Sequence, residues 1–144
     1  MKNTVLKKVM VLTLALVMCM GCTMAFASND DARRIEDPSG PAKYSYIVYC
    51  ANYITVNSAG LVSCDSETDV QPGYTAGIRM DLQKLDGAWY TLKTWSGTQS
   101  RNAFVAGNWY VVRGTYRLKL THTALNSSGQ VLETVTKYSK TITY

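Results

Sequence analysis

The chain reads as an all-β protein, an immunoglobulin-like antiparallel β-sandwich of seven or eight strands, with a small β-barrel as the alternative. Three observations predict this. After Lys43 apolar residues alternate with polar ones instead of recurring at three and four. Val, Ile, Thr, Tyr and Trp dominate the alternating runs, as half-buried strands require. Clusters of Gly, Pro, Asn and Asp punctuate the runs at short intervals, which suits two packed sheets. Strand number alone does not separate a sandwich from a closed barrel.

The elements follow in order. Residues 44–56 form an extended run, Asn57-Ser58-Ala59-Gly60 a turn, and 61–67 a second strand, together a hairpin. Pro72-Gly73 marks the next turn. Ile78, Met80 and Leu82 then alternate with Arg79, Asp81 and Gln83, a strand with one wet face. Asp86-Gly87 signals a tight hairpin with 89–95 as partner strand. Residues 96–100 read as a polar loop and 104–106 as a short strand broken by Gly107-Asn108, with 109–112 beyond. Tyr116, Leu118, Leu120 and His122 form the buried face of the next strand. Asn126-Ser127-Ser128-Gly129 is the last turn and 131–143 the closing strand.

The amino terminus carries an address. Lys2, Lys7 and Lys8 precede an apolar run over 9–20, and Ala25-Phe26-Ala27 supplies a small-x-small cleavage site. Residues 1–27 therefore read as a secretory signal peptide. The run is shorter than the about 20 residues a spanning helix needs, so no stable membrane insertion is expected after cleavage. Lipidation at Cys22 is the alternative; its preceding Cys19-Met20-Gly21 matches such a site poorly. Residues 28–42 are charged, with Pro and Gly and little apolar surface, and read as a flexible lead to a domain over 43–144.

The whole chain carries a formal charge of +5. Removing the three signal lysines leaves 12 basic and 10 acidic residues, or +2. That small balance argues against a nucleic-acid partner. Cys50 and Cys64 remain after cleavage, and an even pair in an oxidising compartment is most simply a disulfide, with two buried free thiols as the alternative. The pair is not symmetric about the Asn57 turn, so a bridge needs a bulge or bend in the first strand. Such a bridge would contribute about 3 kcal/mol.

Candidate chemistry is sparse. His122 is the only histidine and lies on the buried face of its strand, so a structural role is expected. No Gly-x-Ser-x-Gly or His-Glu-x-x-His motif is present, no cofactor motif appears, and no enzyme is expected. Asp65, Glu67 and Asp69 share one face of a strand. They make a weak calcium candidate, against the commoner reading as a solvated edge. Trp89, Thr91, Lys93 and Trp95 recur at every second residue. If outward, they form an aromatic platform with a cation between, suited to stacking a sugar ring. The other reading packs one or both tryptophans in the core. Trp109, Tyr110 and Tyr53 could join either arrangement. Four of the ten tyrosines, Tyr44, Tyr46, Tyr49 and Tyr53, lie in the first strand and fit a contact surface or an ordinary amphipathic strand equally.

Two segments resemble known families. Leu82-Gln83-Lys84-Leu85-Asp86-Gly87-Ala88-Trp89-Tyr90-Thr91-Leu92 is similar to a hairpin of secreted bacterial immunoglobulin-like domains. Gly114-Thr115-Tyr116-Arg117-Leu118-Lys119-Leu120, ending in Asn126-Ser127-Ser128-Gly129, resembles the penultimate strand and last turn of fibronectin type III domains. The resemblance implies that Tyr116 is a tyrosine corner, its hydroxyl bonded to the nearby backbone. Residues 43–144 also resemble small secreted β-sandwich proteins of Gram-positive bacteria, a group without an assigned function. It implies a fold and no catalytic residues.

The functional expectation is a secreted, non-catalytic binding module that meets a glycan or cell-envelope component. The alternatives are an extracellular protein-interaction or adhesion module, using an edge strand by β-addition, and a small bacteriocin-like effector.

Overall fold

A computed structural model describes residues 44–144. The expected signal peptide, the Cys22 lipid site and the segment 28–42 lie outside the described residues. Eight strands are present: β1 (Ile47–Val56), β2 (Leu61–Val70), β3 (Thr75–Asp86), β4 (Ala88–Ser100), β5 (Asn102–Tyr110), β6 (Thr115–Leu125), β7 (Val131–Tyr138) and β8 (Ile142–Thr143). They form two antiparallel sheets. One has the order β1-β2-β5; the other runs β4-β3-β6-β7, with β8 also paired to β6. The inner faces pack together, giving an immunoglobulin-like sandwich rather than a closed barrel. No helix among the described residues is long and apolar enough to cross a membrane.

Period two builds both layers. On β2, Val62, Cys64, Ser66, Thr68 and Val70 point inward, and Ser63, Asp65, Glu67 and Asp69 point outward. On β6, Tyr116, Leu118, Leu120, His122 and Ala124 are buried. Ile54, Val62 and Val70 of one sheet join the core formed with Met80, Leu82, Leu118 and Leu120 of the other. Burying each such side chain contributes roughly 1.5–3 kcal/mol. One hydrogen bond crosses this core: Thr68 Oγ1 and His122 Nδ1 are 2.6 Å apart. His122 Nε2 is buried with no hydrogen-bond partner among the described residues. Burial, and secondarily the charge of Lys137, lowers the His122 pKa from 6.5 to about 4, so the ring is neutral at pH 7. His122 is buried, as its position on the inner face of its strand predicts.

Side chains define several corners. The Tyr116 hydroxyl donates to the Val112 carbonyl, the tyrosine corner at the start of β6. Asn57 Oδ1 accepts the N–H groups of Ala59 and Leu61, and Asn126 Oδ1 accepts those of Ser128 and Gln130. Two Asn-Ser-x-Gly sequences thus make two equivalent turns, closed by Gly60 and Gly129 at φ 78° and 81°. The Glu133 carboxylate on β7 accepts the N–H groups of Ser45, Tyr46 and Ile47, tying the entry of β1 to the other sheet.

Cys50 and Cys64 are not joined, contrary to the expected disulfide. In the β1–β2 register Cys64 faces Ile54 and Cys50 faces Thr68. The cysteines are therefore offset by four residues, about 13 Å along the strand, and a disulfide needs Cα atoms within about 7 Å. The Cys64 thiol donates to the Gly107 carbonyl at 3.3 Å. Burial first, and then Asp65, pushes its pKa up to about 12.

Strand bounds also shift. Residues 96–100 are the end of β4, not a loop, and Arg101, at φ 65°, turns the chain into the second sheet. β5 runs unbroken through Gly107-Asn108. A Cβ on Gly107 would lie 2.3 Å from Trp95 Cε2, so this glycine seats a tryptophan rather than ending a strand. The closing strand divides into β7 and β8.

Candidate functional site

Alternation in β4 changes phase partway along. Leu82 pairs with Lys93 while Gln83 pairs with Thr91, so Leu92 is an extra residue, a β-bulge. The bulge overturns the single-face platform of Trp89, Lys93 and Trp95. Trp95 and Lys93 lie opposite Met80 and Leu82 on the core side, and Trp89 lies opposite Leu85 on the outer side. Trp89, Lys93, Trp95, Trp109 and Tyr53 therefore fall at three places, and Tyr110 stands exposed at the end of β5, paired with Leu61.

The first is the outer face of the β4-β3-β6-β7 sheet, where Trp89 stands. The Arg117 guanidinium lies 4.1 Å from the Trp89 ring centre and 4.2 Å from that of Tyr138. Arg117 also donates through Nε to Gln83 Oε1 at 3.0 Å, and Gln83 Nε2 reaches Thr91 Oγ1 at 3.4 Å. One row further on, Arg79 Nε donates to both Asp81 oxygens at 3.1 Å. Thr94 Oγ1 donates to Asp81 Oδ1 at 2.5 Å. Asp81 and Gln83 are only 5% and 7% exposed although they point away from the core. Their neighbours cover them and fix their orientation. Beyond this network the face is hydroxyl-rich and slightly hollow. A depression of about 330 Å³ is bordered by Arg79, Ser96, Thr98, Thr121 and Thr123 around Gly77. A Cβ on Gly77 would lie 2.4 Å from Thr123 Oγ1, so a larger residue would crowd this hollow.

The second place is the margin where the edge strands β4 and β5 approach. Lys93 Nζ sits 4.9 Å from the Trp109 ring centre, and Trp109 is 40% exposed. Trp95 packs against the core beside Gly107. Three predicted residues therefore do meet, as an ammonium–indole contact beside a tryptophan whose task is structural.

Tyr53 is at the third place, on the outer face of the other sheet, where it pairs with Asp65. Asp65, Glu67 and Asp69 stand in a row along β2 on that face. Asn102 Nδ2 donates to Glu67 Oε1 at 2.7 Å and to Asp69 Oδ1. No group of three or more His, Cys, Asp or Glu among the described residues is arranged to hold a metal ion.

Sequence reasoning missed Arg117, Tyr138 and Gln83. The turn at Asn126 alone would place Lys137 beside Lys119. A bulge between Ala124 and Leu125 shifts β7 by one residue and brings Tyr138 there instead, on the face of Arg117, and no local signal announces it. Comparison with protein-family models, curated proteins and solved structures finds no match to this chain.

Proposed function

We propose that the chain is a secreted, non-catalytic binding module that holds an extracellular glycan or cell-envelope polymer on the outer face of the β4-β3-β6-β7 sheet. The observation that carries this reading is Arg117 held between Trp89 and Tyr138 beside a pre-ordered set of Gln83, Asp81, Arg79 and Thr94. Sugar rings present an apolar C–H face to aromatic side chains. Their hydroxyls need donors and acceptors already in place, because ordering long side chains on binding costs affinity. An open, hydroxyl-bordered face suits an extended polymer better than a small enclosed ligand. The leader over 1–27 and the resemblance of 82–92 to secreted bacterial domains support the extracellular setting.

Retention on insoluble cell-wall polysaccharides tests this reading. Wild type should be held by at least one polymer, and the Trp89→Ala/Tyr138→Ala double variant should be lost from it. Equal retention of both proteins on every polymer would remove the reading. Trp95→Ala is a poor probe, since that ring also supports the core.

A second reading has its own observation. β1 is a sheet edge without a single charged residue, and Val48 on it is 66% exposed. Edges of that kind add strands from partner proteins. Thr55→Lys should weaken such a partner and leave polysaccharide retention unchanged.

A further inference from the structure

We infer that the outer face of the β1-β2-β5 sheet carries a site for a compact organic cation, an alkylammonium head, seated over Ala51. This site lies on the other sheet from the proposed glycan surface and does not depend on it. The pairing rows place it. Ala51, Glu67 and Phe104 form one row across the three strands, and Tyr53 and Asp65 belong to the next. Tyr49 stands two residues before Ala51 on the same side of β1. The small Ala51 side chain between two tyrosines leaves a hollow of about 80 Å³. Its lining includes Tyr49, Tyr53 and Phe104 together with Asp65 and Glu67.

Each part fits the same chemistry. Aromatic faces attract a cation through the ring quadrupole, most strongly when they surround it. Carboxylates beside them reward a full positive charge and penalise an anion or a neutral isostere. The volume suits one ammonium head rather than a ring or a chain. Charge is also segregated in the fold. The strands β1, β2 and β5 contain three acids and no lysine or arginine, and the nine basic residues of 44–144 all lie in other strands or in turns. A positively charged ligand therefore approaches an acidic, aromatic face. Tyr49 and Phe104 are 49% and 58% exposed there, apolar surface that a ligand would cover.

Titration of the full protein, followed by the ring resonances of Tyr49, Tyr53 and Phe104, tests the site. The probes are choline, its neutral isostere 3,3-dimethylbutan-1-ol, and an Nα-acetyl-lysine amide as a protein-borne ammonium. At least one cation should bind saturably, about tenfold more tightly than the isostere. Choline alone would assign a quaternary head group, and the lysine derivative alone a protein partner. Glu67→Gln removes the charge while keeping an oxygen for Asn102, and Ala51→Leu fills the hollow with every charge retained. Each should weaken the cation several-fold, and Trp89→Ala should leave it unchanged. Isostere binding equal to the cations, absence of saturation by either cation, or unaltered binding in both variants would overturn the site.

Discussion

Thiol chemistry separates the two cysteines at the scale of single residues. A bridge closing the Cys50–Cys64 loop would be worth about 3 kcal/mol, and its reduction would lower the melting temperature by roughly 4–8 °C. The four-residue offset predicts no such loss. Melting curves with and without reductant should coincide. Cys64, buried and with its pKa near 12, should resist alkylation until the protein unfolds. The unequal distances of the two cysteines from the Asn57 turn were legible in the sequence. Pairing is unbroken from Tyr49 to Val56, and the one β1 bulge, between Ile47 and Tyr49, lies beyond Cys50, so nothing brings them together. Acid should act through two further residues. His122 binds its proton near pH 4 when folded and near 6.5 when unfolded. Between those values the unfolded chain holds more protons, so stability falls as pH drops through that window. Desolvation works to raise the Glu133 pKa, but the three N–H groups of 45–47 outweigh it and leave it below 4.5. That contribution is present above pH 4.5 and is lost as pH falls further. Urea unfolding at pH 7.5, 5.5 and 4.5 should give steadily lower midpoints; a constant midpoint from 6.5 to 4.5 would contradict the buried, neutral imidazole.

At the scale of elements, the β4 bulge decides what each tryptophan does. Trp95 packs on the core and against Gly107, so Trp95→Ala should destabilise by about 2 kcal/mol or more. Trp89→Ala removes an outer-face contact with Arg117 and should cost under about 1 kcal/mol. Equal losses in denaturant unfolding would mean that β4 has no phase change. Strict alternation from Trp89 to Trp95 gave no warning of the bulge, since Leu92 fits either phase. Ser96-Gly97-Thr98-Gln99-Ser100 looked like a loop because an edge strand needs few apolar residues. By contrast, the two Asn-Ser-x-Gly turns and the face carrying Tyr116, Leu118 and Leu120 were readable directly. Their signals are local, whereas a bulge is set by packing across strands. Tyr116→Phe should cost about 1 kcal/mol or more by leaving the Val112 carbonyl without its donor.

For the whole molecule, period-two patterning was enough to specify an all-β fold with a buried inner face, and that part was legible. The choice of two packed sheets over a closed barrel came only with the strand pairing. The assembly of a surface from β3, β4, β6 and β7 was not, since Trp89, Gln83, Arg117 and Tyr138 come together only through pairing. The folded sandwich turns different chemistry outward on its two sides. One sheet shows an aromatic and acidic face, the other a basic, hydroxyl-rich face with Arg117 between two rings. The proposed glycan surface is on the second. Amide chemical-shift mapping with soluble cell-wall oligosaccharides tests that assignment most directly. Shifts concentrated at Arg79, Gln83, Trp89, Thr94, Arg117 and Tyr138 are the predicted result; shifts confined to β1, or none with any oligosaccharide, would contradict it.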